Sequence, residues 1–279
     1  MILIKEMINR VTQKLMGFSE TENLDAQILI GAALKKSRTE LFVCSNMVLT
    51  KKQQERIMRY VERRISGEPI AYILGTKEFW SLRLTVNPDV FIPRPETELL
   101  VESVLNLFPK SENIRLADLG TGSGAIALAL AYECPLWRID AVDNSSKALR
   151  IAKTNAERYK MKNINFYLGE WCKALPKRNY HAIVGNPPYI SDKDRHFQKL
   201  KYEPWEALSG GPDGISKIRT IVKETPEYLK FGGWLLLEHG FDQSKRLFSL
   251  MKHAGYQKIR NYKDLSGLPR IIAGRTALS

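Results

Sequence analysis

The sequence predicts an α/β protein in which a mostly parallel sheet, covered by helices on both faces, follows a small helical N-terminal region. Apolar residues recur at helical spacing over the first 70 or so residues, whereas short apolar strands alternate with helical segments over most of the rest. Such alternation is typical of a parallel sheet. We therefore expect a helical bundle over residues 1–75, a β-hairpin connector over 76–92 and an α/β domain over 93–279.

The N-terminal region carries three amphipathic patterns separated by polar breaks, and we predict a helix for each. They span Ile4–Met16, Leu24–Leu34 and Gln53–Ile65. From Thr76 the apolar period shortens, which predicts two short strands, Phe79–Val86 and Val90–Ile92, around a turn at Asn87–Asp89.

The α/β domain is predicted from alternating segments. Helices are expected near Glu96–Leu107, after Gly124 and over Ser145–Tyr159, and strands over Ile114–Leu119, Arg138–Val142, Ile164–Leu168 and Tyr180–Val184. The tail contains Trp234–Glu238, Gly255 and Arg270–Ala273, which favour a long helix and a closing antiparallel hairpin. Ligands of such sheets bind beyond the carboxyl ends of the strands.

A glycine-rich loop lies between the first strand of this domain and the helix after it. Three glycines let the backbone approach a ligand closely, and the helix N-terminus presents free N–H groups. Asp118 suits the ammonium group of a cationic cofactor such as S-adenosylmethionine better than a pyrophosphate. The cofactor-binding candidates here are Asp118, Gly120, Thr121, Gly122, Ser123 and Gly124. Gly120, Gly122 and Ala125 also satisfy a relaxed dinucleotide-binding pattern, so a nicotinamide cofactor remains an alternative at this point.

Two further residues follow strand ends. Asp143 follows the strand Arg138–Val142, where its carboxylate could accept hydrogen bonds from both hydroxyls of a ribose. Trp171 follows Leu168, where its ring could cover an adenine. Because the carboxyl ends of parallel strands meet at one edge, we expect both residues to share a site with Gly120 and Asn186.

The segment Asn186-Pro187-Pro188-Tyr189 follows a buried apolar strand and suits a planar amino group. Asn186 offers an amide oxygen, Pro187 offers a carbonyl without a competing N–H, and Tyr189 can lie against a flat conjugated partner. The lone pair of an amide nitrogen or an exocyclic base nitrogen is delocalised, so acceptors that hold its hydrogens would aim the remaining electron density at an electrophile. This pattern predicts transfer to such a nitrogen with Asn186, Pro187 and Tyr189 as catalytic residues.

Over nearly its full length the chain resembles the HemK family of protein-glutamine methyltransferases, which methylate peptide chain release factors. The matching strings are Gly67–Gly75, Phe91–Glu98, Asp118–Gly124, Asn186–Tyr189 and Leu235–Gly240. Asn-Pro-Pro-Tyr alone is shared with amino-methylating enzymes acting on DNA and RNA, whereas Ile-Pro-Arg-Pro-Glu-Thr-Glu narrows the family. The N-terminal region and the segment 191–203 match more loosely.

The resemblance implies a Rossmann-like class I methyltransferase domain whose mostly parallel seven-stranded sheet has an antiparallel last strand. It also implies that S-adenosyl-L-methionine is bound by the glycine-rich loop and by Asp143, Trp171 and Asn186. The substrate glutamine, from the Gly-Gly-Gln motif of a class I release factor, is then held by Asn186, Pro187, Pro188, Tyr189, Phe91 and Arg94. The N-terminal bundle is the candidate docking region for that partner.

Bulk properties exclude few classes of protein. The formal net charge of +13 invites a nucleic-acid partner, yet residues 1–90 carry 14 Lys and Arg against 10 Asp and Glu, so the excess is spread along the chain. We expect no stable nucleic-acid complex, and we expect a monomer.

Three scattered cysteines favour a reducing, cytoplasmic location, and no apolar run is long enough for a membrane span. We predict no metal, because His181, His196, His239 and His253 form no spaced ligand set.

Three alternatives stay open. An amino-methyltransferase of DNA or RNA would use the same pocket on a flipped base, although no large target-recognition insertion is evident. A glutamine methyltransferase of a ribosomal protein would carry the same catalytic motifs. A non-catalytic ribosome-binding module could retain the fold alone.

Overall fold

The computed structural model describes residues 1–277, apart from the side chains of residues 196, 198 and 199. It forms two compact units, Met1–Thr76 and Lys77–Ser279.

The first unit is helical. Its helices are α1 (Ile4–Leu15), α2 (Glu22–Leu34), α3 (Arg38–Val43), α4 (Lys51–Ile65) and α5 (Ile70–Leu74), and its short strands β1 (Ile2–Leu3) and β2 (Val48–Leu49) pair with each other. The three predicted helices are α1, α2 and α4 within a few residues. α4 begins with a capping box in which Thr50 accepts from the Gln53 amide and Gln53 from the Thr50 amide. One apolar core, including Val11, Leu29 and Ile57, holds the helices together.

The second unit begins with a hairpin whose turn differs from the predicted one. β3 (Thr76–Phe79) pairs with β4 (Leu82–Thr85) through Trp80 and Ser81, which both have positive φ. This is the conformation of a type I′ turn, which usually takes Asn-Gly. Tertiary contacts hold it here, because the Trp80 amide donates to Glu98 and its indole N–H to Glu133. The predicted turn at Asn87–Asp89 exists, but Val90–Ile92 forms no strand, so the predicted placement of the hairpin was wrong.

The main sheet has seven strands in the spatial order β10-β11-β9-β8-β5-β6-β7. The strands are β5 (Arg115–Leu119), β6 (Arg138–Asp143), β7 (Ile164–Leu168), β8 (Tyr180–Gly185), β9 (Leu229–Glu238), β10 (Gln257–Lys263) and β11 (Pro269–Arg275). β5 to β9 are mutually parallel, and β11 is antiparallel to both β9 and β10. The predicted sheet and its antiparallel last strand are therefore confirmed. β10 lies at an edge of the sheet, with exposed Lys258, Arg260 and Lys263.

Helices cover both faces of this sheet. They are α6 (Glu98–Leu105), α7 (Ala125–Glu133), α8 (Ser146–Arg158), α9 (Ser216–Glu224) and α10 (Ser244–His253). Alternation along β8 sends Val184 to the core beneath α6 and α7 and Ile183 to the core beneath α9 and α10. α7 is buried on all sides from Ala125 to Ala131, which explains the uniformly apolar sequence of that stretch.

Strand register aligns the carboxyl ends of the central strands. Leu119 of β5 pairs with Val142 of β6 on one side and Gly185 of β8 on the other, and Gly185 pairs with Leu237 of β9. The residues that follow these positions therefore lie side by side along one edge of the sheet.

Candidate active site

A cavity of about 650 Å³ opens at the carboxyl edge of the sheet. It is lined by residues from the loops after β5, β6, β7 and β8, from the segment preceding α6, and from the segment before α9. The predicted site residues that line it are Phe91, Arg94, Gly120, Thr121, Gly122, Ser123, Asp143, Trp171, Asn186, Pro187, Pro188 and Tyr189. Two predicted residues, Asp118 and Gly124, are not part of the lining.

The glycine-rich loop is shaped for close approach of a ligand. Gly120 has φ +74°, and a Cβ there would lie 3.4 Å from the Trp171 ring, so the indole covers this peptide. Gly122 has φ +56°, and a Cβ there would meet no atom within 4 Å, so its side faces open space. The two glycines therefore leave a slot beside the indole.

Gly124 has a packing role. It begins α7 with φ +85°, and a Cβ would come within 2.4 Å of Leu128 and 3.3 Å of Ala152. A glycine is required at this position because a side chain would keep α7 from packing closely against α8. A cofactor contact by Gly124 stays a prediction.

Asp118 lies beneath the loop and is completely buried. Its Oδ2 accepts a hydrogen bond from the Thr121 hydroxyl at 2.7 Å. Oδ1 makes no hydrogen bond of good geometry with a described residue, although the Ala127 amide lies near enough to lower the pKa of the carboxyl. Burial outweighs these effects and raises the pKa of Asp118 to about 7. Its position supports an indirect role in shaping the loop, and its contact with a cofactor stays a prediction.

Asp143 stands at the end of β6 with its carboxylate fixed by the backbone. Oδ2 accepts from the Gly122 amide and Oδ1 from the Ser145 amide, both at 2.8 Å. Burial raises the pKa of Asp143, while the amides of Ser145 and Gly122 lower it. Each carboxylate oxygen can accept a further hydrogen bond, so Asp143 retains acceptor sites for a diol in the cavity.

Trp171 has the left-handed φ of +46°, a conformation that costs a non-glycine residue energy. It is half-buried, and its ring lies beside Gly120. The surrounding structure thus holds this ring in one place at the edge of the cavity.

The Asn186–Tyr189 segment follows β8 and is tied down on several sides. The Asn186 Nδ2 donates to the Thr97 hydroxyl at 3.2 Å, which turns the amide oxygen away from Thr97. Neither that oxygen nor the Pro187 carbonyl accepts a hydrogen bond from a described residue. The Tyr189 hydroxyl donates to Glu238 at 3.2 Å, and the Tyr189 backbone carbonyl accepts a hydrogen bond from the Gln243 side chain at 2.8 Å. Two oxygen acceptors are therefore available on a rigid segment.

Phe91 and Arg94 lie on the segment preceding α6. The Arg94 guanidinium carbon lies 4.6 Å from the centre of the Phe91 ring, and the guanidinium pairs with Glu203. Glu203 is buried and also accepts from the Ile92 amide at 3.0 Å. These contacts fasten the loop that contains Glu203 to the segment carrying Phe91.

Part of the lining was not predicted from the sequence. Thr97 and the segment from Pro204 to Ser209 also line the cavity, and the half-exposed Trp205 is among them. The Ile190 amide donates to the Leu208 carbonyl at 3.0 Å, so this segment is held against the one that follows Tyr189. No strand or helix pattern marks it, since it is mostly short 3₁₀ turns and loop.

No group of three or more His, Cys, Asp and Glu residues able to hold a metal was found in residues 1–277, and the His196 side chain lies outside the described part. Within the same range, none of the helices combines the length and apolar composition needed to span a bilayer.

Comparison with known proteins matches both units to described families. Residues 6–75 match the PrmC N-terminal domain, and residues 93–202 match the methyltransferase small domain. The release factor glutamine methyltransferase of Coxiella burnetii is 57% identical over 275 residues, covering 99% of each chain.

The chain belongs to the release factor glutamine methyltransferase family.

Other members of the family show the same full-length similarity. The protein of that name from Pseudomonas aeruginosa is 42% identical, over 93% of this chain and 94% of its own. The one from Shewanella oneidensis is 39% identical, over 98% of this chain and 96% of its own.

Solved methyltransferases share the fold at low identity. A methyltransferase from Pyrococcus furiosus has a TM-score of 0.53 at 17% identity, with 82% of this chain and 100% of that chain covered. The ribosomal protein L11 methylase from Lactobacillus delbrueckii has a TM-score of 0.52 at 16% identity, covering 68% and 84%. The expected family and methyltransferase fold are confirmed.

Proposed function

We propose that this protein transfers the methyl group of S-adenosyl-L-methionine to the side-chain amide nitrogen of the glutamine in the Gly-Gly-Gln motif of class I peptide chain release factors. The observation that carries the proposal is a pair of oxygens, on Asn186 and Pro187, that accept no hydrogen bond from a described residue and line the same cavity as a slot built from Gly120, Gly122 and Trp171. The full-length similarity to release factor glutamine methyltransferases supports the choice of substrate.

The described residues fit the cofactor. Gly122 leaves open the space that a Cβ would occupy, and the Trp171 ring borders that space beside Gly120. Asp143 has acceptor sites left for ribose hydroxyls. When bound, S-adenosyl-L-methionine supplies an electrophilic methyl group on a sulfonium. The neighbourhood of two carboxyls, the buried Asp118 and the partly buried Asp143, suits that positive charge.

The chain's own residues would orient the substrate. The Asn186 oxygen and the Pro187 carbonyl accept the two amide hydrogens of the glutamine, and Tyr189 lies along its planar face. Held in this way, the nitrogen would present its out-of-plane electron density to the methyl carbon. The new N–C bond would replace the bond between the methyl and sulfur, a neutral thioether would leave, and one amide proton would pass to water. Orientation of this kind can lower a barrier by roughly 7–11 kcal/mol, so no strong base is required.

We also propose that the helical unit docks the release factor. Its separate core supports a preformed surface, and its sequence matches the PrmC N-terminal domain. Deletion of residues 1–70 should raise the KM for the release factor at least ten-fold while cofactor affinity is retained, as measured by steady-state kinetics and calorimetry. Unchanged kinetics would refute the docking role.

The test of function is transfer of labelled methyl to a purified class I release factor, beside a version whose Gly-Gly-Gln glutamine is alanine. Label on the first and none on the second is the expected result. If neither is labelled although the cofactor binds, the proposal fails, and ribosomal proteins and then nucleic acids become the substrates to test.

A further inference from the structure

Glu238 is a completely buried carboxylic acid at the end of β9 to which the mechanism above gives no role. It does not line the cavity. Gly185 and Leu237 are partners in the parallel pairing of β8 with β9, so Asn186 and Glu238 follow at corresponding positions on neighbouring strands. A buried carboxyl one strand away from the proposed substrate-binding amide requires an explanation, because burial of a charge is unfavourable unless it is well paired.

Two hydroxyl groups contact Glu238. Tyr189 donates to its Oε1 at 3.2 Å, and the Thr97 hydroxyl lies near enough to the carboxyl to lower its pKa. Its Oε2 has no hydrogen-bond partner among the described residues. The acid therefore joins a residue of the substrate pocket, Tyr189, to the residue that holds the Asn186 amide.

The polarity of this chain of hydrogen bonds follows from proton counting. A carboxylate can only accept, so between these two groups the proton would come from the Thr97 hydroxyl and point to Glu238. A hydroxyl has one proton, and Thr97 can then only accept from its other neighbour. That neighbour is the Asn186 amide, whose Nδ2 lies 3.2 Å away. The NH₂ end of Asn186 is thus turned to Thr97, and its oxygen is left for the cavity.

The reverse polarity would disable the pocket. A donor in place of the carboxylate would let Thr97 donate to the Asn186 oxygen, and the amide could then rotate its NH₂ group into the cavity. That group would face the N–H bonds of a substrate amide, donor against donor. The acceptor on which the proposed chemistry depends would be lost without any change in Asn186 itself.

We propose that Glu238 is a positioning residue which, through Thr97 and Tyr189, fixes the end of the Asn186 amide that faces the substrate. This inference rests on the proposed function. It assigns a role to the Leu235–Gly240 string beyond that of a core strand.

The protonation of Glu238 supports the same assignment. Burial raises its pKa to about 7, against the lowering effects of Thr97, Tyr189 and the Arg270 charge on β11, while Glu96 raises it further. A protonated Glu238 could itself donate to Thr97 and permit the reversed chain. The rate of methylation should therefore rise as pH increases through about 7, and a variant with no titrating group at this position should lose that rise.

The experiment compares wild type with Glu238→Gln, Thr97→Val and the double variant in release factor methylation. Each single substitution should lower kcat at least ten-fold, with the KM for S-adenosyl-L-methionine changed less than two-fold. The double variant should fall well short of the product of the two losses, because both act through one chain. Glu238→Gln should also show a flat kcat profile between pH 6 and 8.

A matched control is Asp140→Asn. Asp140 is equally buried in the same sheet and likewise accepts a tyrosine hydroxyl, from Tyr180 at 2.8 Å, but its partners Arg115 and Tyr180 begin their strands at the opposite edge. Its substitution should lower stability and leave the kcat of the folded protein within two-fold of wild type.

A spectroscopic arm separates this inference from the proposed function. In protein labelled with ¹⁵N asparagine, the side-chain NH₂ signals of Asn186 should shift in both Glu238→Gln and Thr97→Val and remain in place in Asp140→Asn. Unchanged signals, fully multiplicative losses or a Glu238→Gln kcat above one third of wild type would overturn the positioning role. Absence of methylation by wild type would instead overturn the substrate assignment, and the NMR result would still decide the role of Glu238. If Glu238→Gln does not fold, Thr97→Val tests the same link.

Discussion

Buried carboxylates at the two ends of the main sheet differ in how completely they are hydrogen-bonded. At the amino end, Asp140 receives hydrogen bonds from Arg115, Tyr180 and Asn165 at 2.8–3.2 Å. At the carboxyl end, Asp118 and Glu238 each keep one buried oxygen without a hydrogen-bond partner of good geometry among the described residues. All three side chains are almost completely buried.

The difference separates stability from function within one domain. A satisfied buried network holds a core together, whereas an incompletely satisfied acid is unfavourable for folding and is expected where it serves a site. Asp118, Asp143 and Glu238, whose pKa values burial raises, all lie at the edge that carries the cavity. We expect substitutions at the amino end to change stability alone and substitutions at the carboxyl end to change binding or turnover.

The largest effect is expected from Asp140→Asn. The amide keeps the size of the side chain but leaves the Arg115 guanidinium without its counter-charge, so the free energy of unfolding should fall by about 4 kcal/mol. Urea denaturation measures this loss. A change below about 1 kcal/mol would break the comparison, since the amino end would then not be the stabilising one.

Asp118→Asn should remove about 3 kcal/mol from the change that pH causes in the free energy of unfolding. The pKa of Asp118 is raised by burial from 3.8 to about 7 in the folded protein, so the unfolded chain loses the proton first as pH rises. Wild type should therefore lose stability relative to the variant between pH 5 and 7, with little further change above pH 7. Denaturation midpoints at pH 5, 6, 7 and 8 test this, and a constant difference would show that Asp118 is not strained by burial.

Asn186→Ala should lower kcat at least 100-fold, about 3 kcal/mol, because it removes one of the two acceptors that orient the substrate amide. Affinity for the cofactor should change little, as should the melting temperature. Steady-state kinetics together with calorimetry separate these effects. A variant that retains more than about a tenth of the wild-type rate would refute the catalytic role of Asn186.

The smallest effect is expected for Asp143→Ala, which should weaken binding of S-adenosyl-L-methionine about 20-fold, or about 2 kcal/mol, through lost hydrogen bonds to the ribose. Calorimetry measures the affinity. Asp264→Ala, in the turn between β10 and β11, is the control and should bind normally. Equal affinities in the two variants would contradict the ribose assignment.

Much of this fold was predictable because its strands are short apolar runs that end in unmistakable residues. β5 and β8 lie within a residue of their predicted bounds, since Leu119 is followed by glycine and Val184 by Gly-Asn-Pro-Pro. The location of Asn186 and Asp143 at one edge followed from parallel pairing alone.

The features missed are those that distant contacts determine. The Trp80-Ser81 sequence is not that of a common hairpin turn, and the carboxylates of Glu98 and Glu133, far along the chain, help to hold it. Glu238 was part of a family string, yet its role was invisible because Thr97, the link to Asn186, lies 141 positions earlier in the sequence. Neither relation leaves a local pattern.

The edge strand β10 has a consequence for behaviour at high concentration. An open edge is a template on which a second sheet could grow, and chains that present one tend to assemble into insoluble aggregates. In β10, three of the seven side chains are Lys or Arg, and the register shifts twice along its pairing with β11. Two copies meeting along this edge would bring like charges and irregular backbones together. The positive charges on β10 should therefore help to keep this protein from aggregating.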